Sequence, residues 1–129
     1  MNPNMNLIHI VALLAVIQFF YFGVKVGRAR VQYGIKAPAV TGHEMFERAY
    51  RVQMNTLEQL VGFLPALLIA GTYWPQAVIA PIGVVYLVGR ALYRQRYMQD
   101  PARRAPGFLL TVLATGILLA AGLIGAAMR

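Results

Sequence analysis

"HEMFERAYRVQMNTLEQLVGFLPALLIAG" (residues 43–71) changes character halfway along. Its first half carries Glu44, Glu47, Arg48, Arg51, Asn55 and Glu58, whereas its second half has the composition of a membrane span. An α-helix turns about 100° per residue, which gathers Glu44, Arg48, Arg51, Asn55, Glu58 and Gln59 into an arc of about 100°. Phe46, Tyr50, Met54, Leu57 and Val61 lie outside that arc. The polar side chains therefore form one stripe, and its lower part, near Asn55 and Glu58, heads into the apolar region. Ionisable groups at that depth face a bundle interior or a wet cavity. Arg48 and Arg51 are the expected partners of Glu58 on this face. The stripe is then either self-satisfied glue between helices or the wall of a ligand site, and spacing alone leaves both open.

The rest of the chain supplies the setting. Of 129 residues, 59% are apolar and 12% charged, about half the charge fraction of a soluble domain. Cysteine is absent, which excludes disulfides, thiolate metal sites and a cysteine nucleophile. The net charge is +8, yet eleven of the twelve Lys and Arg residues fall in two segments, Lys25 to Arg51 and Arg90 to Arg104. Basic loops between long apolar runs mark membrane topology rather than a nucleic-acid surface. No nucleic-acid partner is expected.

A spanning helix needs about 20 mostly apolar residues. Four segments qualify: Leu7 to Val26, Leu57 to Trp74 with the polar stripe extending it upstream, Gln76 to Tyr93, and Gly107 to Met128. Backbone groups in lipid must be satisfied within their own segment, so all four are expected to be helices. The expected fold is all-α and integral to the membrane, a bundle of four transmembrane helices forming one domain over residues 1–129. The first helix lacks a basic start and a small-residue cleavage motif, so it is expected to be retained rather than removed as a signal peptide. "YWPQ" makes a tight hairpin between helices two and three. Thr41 or Gly42 is expected to cap helix two, and Pro101 and Pro106 bracket the last loop. Four passes put both basic loops on one side, the cytoplasm by the positive-inside rule, with both termini outside. A bacterial inner membrane is the expected location.

Helix three ends in "VYLVGRALYRQRYMQDPARRAPGF" (residues 85–108). Tyr86, Arg90, Tyr93, Arg94 and Tyr97 share one face, and Arg90 lies within the apolar run, where it needs an anion. The arginines on helices two and three outnumber the acids that could pair with them. Surplus arginine beside tyrosine points to an anionic ligand held by charge-assisted hydrogen bonds. Arg94, Arg96, Arg103, Lys25, Arg28 and Lys36 are read as headgroup-facing anchors. His9, alone in the first apolar run, is expected against a carbonyl or a neighbouring helix. His43 beside Glu44 does not make a metal site, and no metal is expected. Gly116, Gly122 and Gly125 are read as packing positions. No inverted repeat or paired broken helices support a transporter.

"FERAYRVQMNTLEQLVGFLPALLIAG" resembles the signature of the membrane-associated proteins in eicosanoid and glutathione metabolism, the MAPEG family. Phe46-Glu47-Arg48, then Arg51, Gln53 and Asn55, then Glu58 carry the resemblance, which extends to "LVGRALYRQRY" and "RRAPGF" and covers essentially the whole chain. It implies a four-helix bundle assembled as a homotrimer, with glutathione as co-substrate bound between subunits near the cytoplasmic side. It further implies addition of the glutathione thiolate to lipophilic small-molecule electrophiles arriving through the lipid bilayer, reduction of lipid peroxides, or isomerisation. One branch of the family binds lipid without catalysis. By family position Arg104 is the residue that stabilises the thiolate. Arg30, Arg48 and Arg51 suit the carboxylates, and Asn55 and Glu58 the amide and ammonium groups. Arg90, Tyr93 and Tyr97 complete the substrate site. Gln53 lies opposite the stripe and is expected to reach a neighbouring subunit.

Two positions depart from the family's synthase pattern. Gln59 stands where several members carry tyrosine, and Val31 follows Arg30 where some leukotriene-forming members carry a second arginine. These departures speak against eicosanoid synthesis and for a general detoxifying glutathione transferase with possible peroxidase activity. The alternative is a non-catalytic lipid-binding or scaffold membrane protein of the same fold.

Overall fold

A computed structural model describes residues 4–129. Helices α1 (Asn6–Tyr33), α2 (Glu44–Tyr73), α3 (Gln76–Gln99) and α4 (Ala105–Ala127) run in chain order, with a one-turn 3-10 helix, Pro101–Arg103, before α4. Among the described residues all four long helices are apolar and long enough to cross a membrane, and there is no strand. The molecule is an all-α, multi-pass membrane bundle. Connections alternate between its two ends. One end carries the short Trp74–Pro75 turn, the start of α1 and the end of α4; the other carries the α1–α2 loop, the 3-10 turn and nearly all the cations.

The helices outrun the expected spans at the basic end. α1 continues past Val26 to Tyr33, and α3 past Tyr93 to Gln99. Charged and aromatic side chains there project beyond the apolar slab without breaking the hydrogen-bond ladder. α1 stops at Gly34, whose left-handed φ of 69° suits a residue without Cβ and lets its N–H donate to the Arg30 carbonyl. The cap of α2 corrects the sequence expectation. It is His43, not Thr41 or Gly42, whose Nδ1 accepts from the Met45 N–H at 3.0 Å. Glu47, at the fourth helical position, reaches back to accept from the Gly42 N–H just before the cap at 3.1 Å, tying the incoming chain to the first turn. The His43 ring also stacks on Tyr33 at 3.7 Å, closing the loop against the end of α1.

The core runs along the bundle axis and includes Ile8, Val11, Phe63, Leu67, Ile79 and Leu118. Phe63 of α2 stacks on Tyr86 of α3 at 3.7 Å. At the Trp74 end, the indole Nε1–H donates to the Ala121 carbonyl at 2.7 Å, and the Leu7 N–H donates to Gln76 Oε1 at 2.9 Å. Gly122 and Gly125 admit α2 and the Trp74 turn closely, whereas Gly116 meets nothing within 4 Å in this chain. His9 faces outward from α1 without a hydrogen bond among the described residues, contrary to the expectation that it meets a carbonyl or a second helix.

The tightest approach joins α3 and α4. A Cβ on Gly107 would overlap the backbone of Tyr93, and one on Gly89 would lie 3.0 Å from the Thr111 nitrogen. Both glycines are buried, so neither helix has room to yield. Gly107→Ala is therefore expected to destabilise the bundle by about 1–3 kcal/mol. Gly116→Ala should stay within about 0.5 kcal/mol of the parent. Thermal unfolding of the detergent-solubilised variants checks both.

Candidate functional site

The stripe on α2 divides into two parts. At its outer end Arg48 forms an ion pair with Glu44 one turn earlier. The same guanidinium donates through Nη1 to the carbonyls of Met98 at 2.9 Å and Gln99 at 3.1 Å. These carbonyls end α3, where the helix leaves acceptors unmatched and its dipole favours a cation. Arg48 is thus committed to joining α2 to the end of α3. Further along, Asn55 Oδ1 accepts from Nη1 of Arg90 at 2.8 Å. Between and beyond these bonds, Arg51 and Glu58 are exposed on the chain and make no hydrogen bond or ion pair among the described residues. The expected pairing of Glu58 with Arg48 or Arg51 does not form: Arg48 is held by Glu44 and the end of α3, and Arg51 lines a recess that Glu58 does not reach.

Arg90 is completely enclosed, with 0% of its surface exposed. Its guanidinium carbon lies 4.1 Å from the centre of the Tyr93 ring, and Tyr93 stacks in turn on Tyr97 at 5.5 Å. An enclosed cation held by an amide and an aromatic face fixes the rotation of both partners. Arg90 accordingly stands behind the site: it aims Asn55 and Tyr93 but has no surface left for a ligand.

In front of that pair opens a cleft of about 390 Å³ lined by Asn55, Tyr93, Ala102, Arg104, Ala105 and Phe108. Four elements build it: α2, α3, the 3-10 turn and the start of α4. The glycine contact at Gly107 brings Arg104 and Phe108 up to Tyr93, whose ring lies 6.4 Å from that of Phe108. Arg104 caps α4 and donates through Nη1 to the Pro101 carbonyl at 2.9 Å. That single bond orients the guanidinium and leaves its other donors open to the cleft. A neighbouring recess of about 320 Å³ is lined by Glu44, Glu47, Arg48, Arg51, Tyr97 and Pro101. The Tyr93–Tyr97 stack and the Pro101–Ala102 step connect the two. Together they offer two uncommitted guanidinium groups, phenols, an amide and carboxylates, a set that suits a zwitterionic anion with peptide groups.

The structure thus brings Asn55, Tyr93 and Arg104 into one cleft, and Arg48, Arg51 and Tyr97 into the next. Glu58 shares their helix face without lining either. Arg30 and Gln53 lie elsewhere. Arg30 donates to the Ala39 carbonyl at 2.7 Å and covers the Phe46 ring at 4.8 Å. Gln53 packs its amide over Gly23 of α1. Arg94 leaves the tyrosine face and lies 5.7 Å from the Phe22 ring. Phe108 was not singled out by sequence, although its position four residues after Arg104 puts both on one helix face. The capping role of Arg48 had no sequence signal, since its acceptors are backbone carbonyls.

Removing the Arg48 side chain strips two charge-assisted bonds from the end of α3, whereas Arg51 has none to lose. Arg48→Ala is expected to lower stability by about 1.5–3 kcal/mol, and Arg51→Ala to stay within about 0.5 kcal/mol. Parallel melting curves measure the difference.

Comparison with known proteins adds a lineage to this geometry. The MAPEG family model matches residues 8–124. An uncharacterized protein of Synechocystis is 43% identical over 115 residues, covering 89% of this chain and 84% of its own length. Human microsomal glutathione S-transferase 2 is 37% identical over 127 residues, 98% of this chain and 86% of that protein. Guinea-pig (Cavia porcellus) leukotriene C4 synthase is 34% identical over 125 residues, 97% and 83% of the respective chains.

Proposed function

The chain belongs to the MAPEG family, and we propose that it is a membrane-bound glutathione transferase acting on lipophilic electrophiles, with lipid peroxides as a second substrate class. The observation that carries this reading is Arg104: a guanidinium held by one bond to the Pro101 carbonyl, lining the Tyr93–Asn55 cleft, with the unpaired Arg51 in the neighbouring recess. Relatives that bear glutathione transferase and leukotriene C4 synthase names align over nearly the whole chain. Glutathione supplies a thiol, two carboxylates and an ammonium group. Arg51 takes a carboxylate, Asn55 a peptide group, and Glu58 the ammonium. Arg104 faces the sulfur. Arg48 contributes indirectly, since its donors already hold the end of α3.

An unpaired Glu58 on a membrane helix requires a protein or water partner. That need favours a homotrimer, with the site completed between copies. Arg30 and Gln53, bound away from the cleft within their own chain, enter it as contributions of the adjoining copy. The basic end faces the cytoplasm of a bacterial cell, where soluble glutathione reaches the site while the electrophile arrives from the bilayer.

A free thiol of pKa about 8.5 is mostly protonated at neutral pH. A cation beside the sulfur favours the thiolate and lowers that pKa. The thiolate's electron pair then forms the new bond to the electrophilic atom of the lipid; in a substitution the bond to the leaving group breaks and the group departs with its electron pair, and in an addition the displaced π pair takes up a proton. Phe108 and the exposed apolar faces of the helices present the lipid side of this encounter.

Glutathione titrated into the detergent-purified protein at neutral pH is expected to produce a saturable thiolate band in the ultraviolet difference spectrum. Because the bound pKa is lowered, the band persists below the pH at which free glutathione protonates and fades as pH falls through the lowered value. Arg104→Ala should move that midpoint back up towards about 8.5 and reduce kcat by about 10²–10³. Arg51→Ala should instead weaken binding by about 1.5–3 kcal/mol. Full activity in both variants overturns the site. The apolar α1–α3 groove of about 500 Å³ favours one competing reading, a lipid-binding protein without catalysis, and absence of any glutathione binding would overturn the transferase and leave that reading in front.

A further inference from the structure

A third recess opens at the basic end, between α1, α2 and α3, and shares no residue with the Arg104 cleft. Its volume is about 200 Å³, and Lys25, Arg28 and Gln32 of α1 face Arg94 of α3 across it. No acid lines it. Arg30, Arg48, Arg103 and Arg104 all donate to acceptors within the chain. Lys25, Arg28 and Arg94 have no such acceptor among the described residues. Lys25 rests 5.2 Å from the Tyr21 ring and Arg94 5.7 Å from the Phe22 ring, and Nη1 of Arg94 is buried without a hydrogen bond. Three cations are thus gathered around one space with their donors unmatched, which is the environment a phosphate oxygen satisfies.

The same face continues into the bilayer. Leu14, Ile17 and Tyr21 of α1, and Val84 and Val88 of α3, stand exposed at helical spacing. Beyond them the two helices enclose the apolar groove of about 500 Å³ lined by Leu7, Ile10, Ala80 and Pro81 among others. One unpartnered face therefore carries cations at its end and apolar side chains along its length, the profile of a phospholipid standing beside it. A zwitterionic headgroup would bring its ammonium into a ring of three cations, so charge complementarity selects a lipid whose headgroup carries net negative charge. Basic pockets between helices at the membrane rim bind such headgroups.

We propose that Lys25, Arg28 and Arg94 form a site for the phosphate of an anionic phospholipid, with its acyl chains lying along the exposed α1–α3 face. The site is independent of the glutathione reading and lies to one side of α3's tyrosine face, towards α1.

The test uses the full chain in neutral detergent, titrated separately with phosphatidylglycerol, phosphatidylcholine and inorganic phosphate, with bound molecules counted by native mass spectrometry. Phosphatidylglycerol is expected to bind in preference to phosphatidylcholine. That preference should fall about fivefold for each cation removed, in Lys25→Gln, Arg28→Gln and Arg94→Gln. Arg103→Gln removes the same charge elsewhere on the basic rim and should leave it intact. Arg28 is exposed, so its variant folds even where Arg94→Gln does not, and a melting curve without lipid confirms this. Equal binding of the two lipids, equal losses in Arg28→Gln and Arg103→Gln, or retention by Arg28→Gln each overturns the site. Saturable binding of inorganic phosphate that displaces the lipid assigns the recess to a soluble phosphate compound and overturns the lipid assignment.

Discussion

A guanidinium enclosed within a membrane bundle constrains everything around it. Arg90 has no exposed surface and must be held from within, by the Asn55 amide on α2 and the Tyr93 ring on its own helix. Leaving it without these partners would strand a charge in a medium where desolvation is expensive. The rotation of α2 against α3 is thereby set, and with it the direction in which Asn55 and Tyr93 face. The cleft in front of them is a consequence of the bond behind them.

Two further contacts complete the frame. Gly107 lets α4 settle onto the backbone of Tyr93, which carries Arg104 and Phe108 to the cleft. Arg48 ties the polar end of α2 to the last carbonyls of α3. These joints commit Nη1 of Arg90 and both terminal nitrogens of Arg48 to structure, hold Arg104 by one bond, and leave Arg51 and Glu58 unpaired among the described residues. The division of labour among otherwise similar side chains follows from which of them finds a backbone or amide acceptor within reach. The uncommitted groups are the ones available for chemistry or for another copy of the chain.

The basic end also separates into two regions by partner. Arg30 beside the α1–α2 loop and Arg103 and Arg104 around the 3-10 turn meet backbone carbonyls and the Gln99 amide oxygen of the chain itself. Those between α1 and α3 meet only aromatic rings. The positive charge of the sequence thus divides, once the helices pack, into cations that find an acceptor within the chain and cations, those of the recess among them, that find none. Topology signals explain why the charge is at this end, whereas acceptor geometry explains what each charge can do there.

The sequence by itself determined the four helices, their order, the hairpin at Trp74–Pro75 and the polar stripe of α2, because each is written in apolar runs, proline positions and helical periodicity that involve near neighbours only. The residues 46–71 also carried the family, and with it Asn55, Tyr93 and Arg104 as site candidates. Only the tertiary structure decided that His43 caps α2, that Glu58 stays unpaired, that Arg48 serves α3 and that Arg90 stands behind the cleft. These outcomes depend on acceptors remote in the chain, many of them backbone carbonyls that every residue possesses. A periodic pattern says which face of a helix is polar. It does not say which of several arginines on that face will find a carbonyl opposite, since that is set by the depth and rotation at which the helices come to rest.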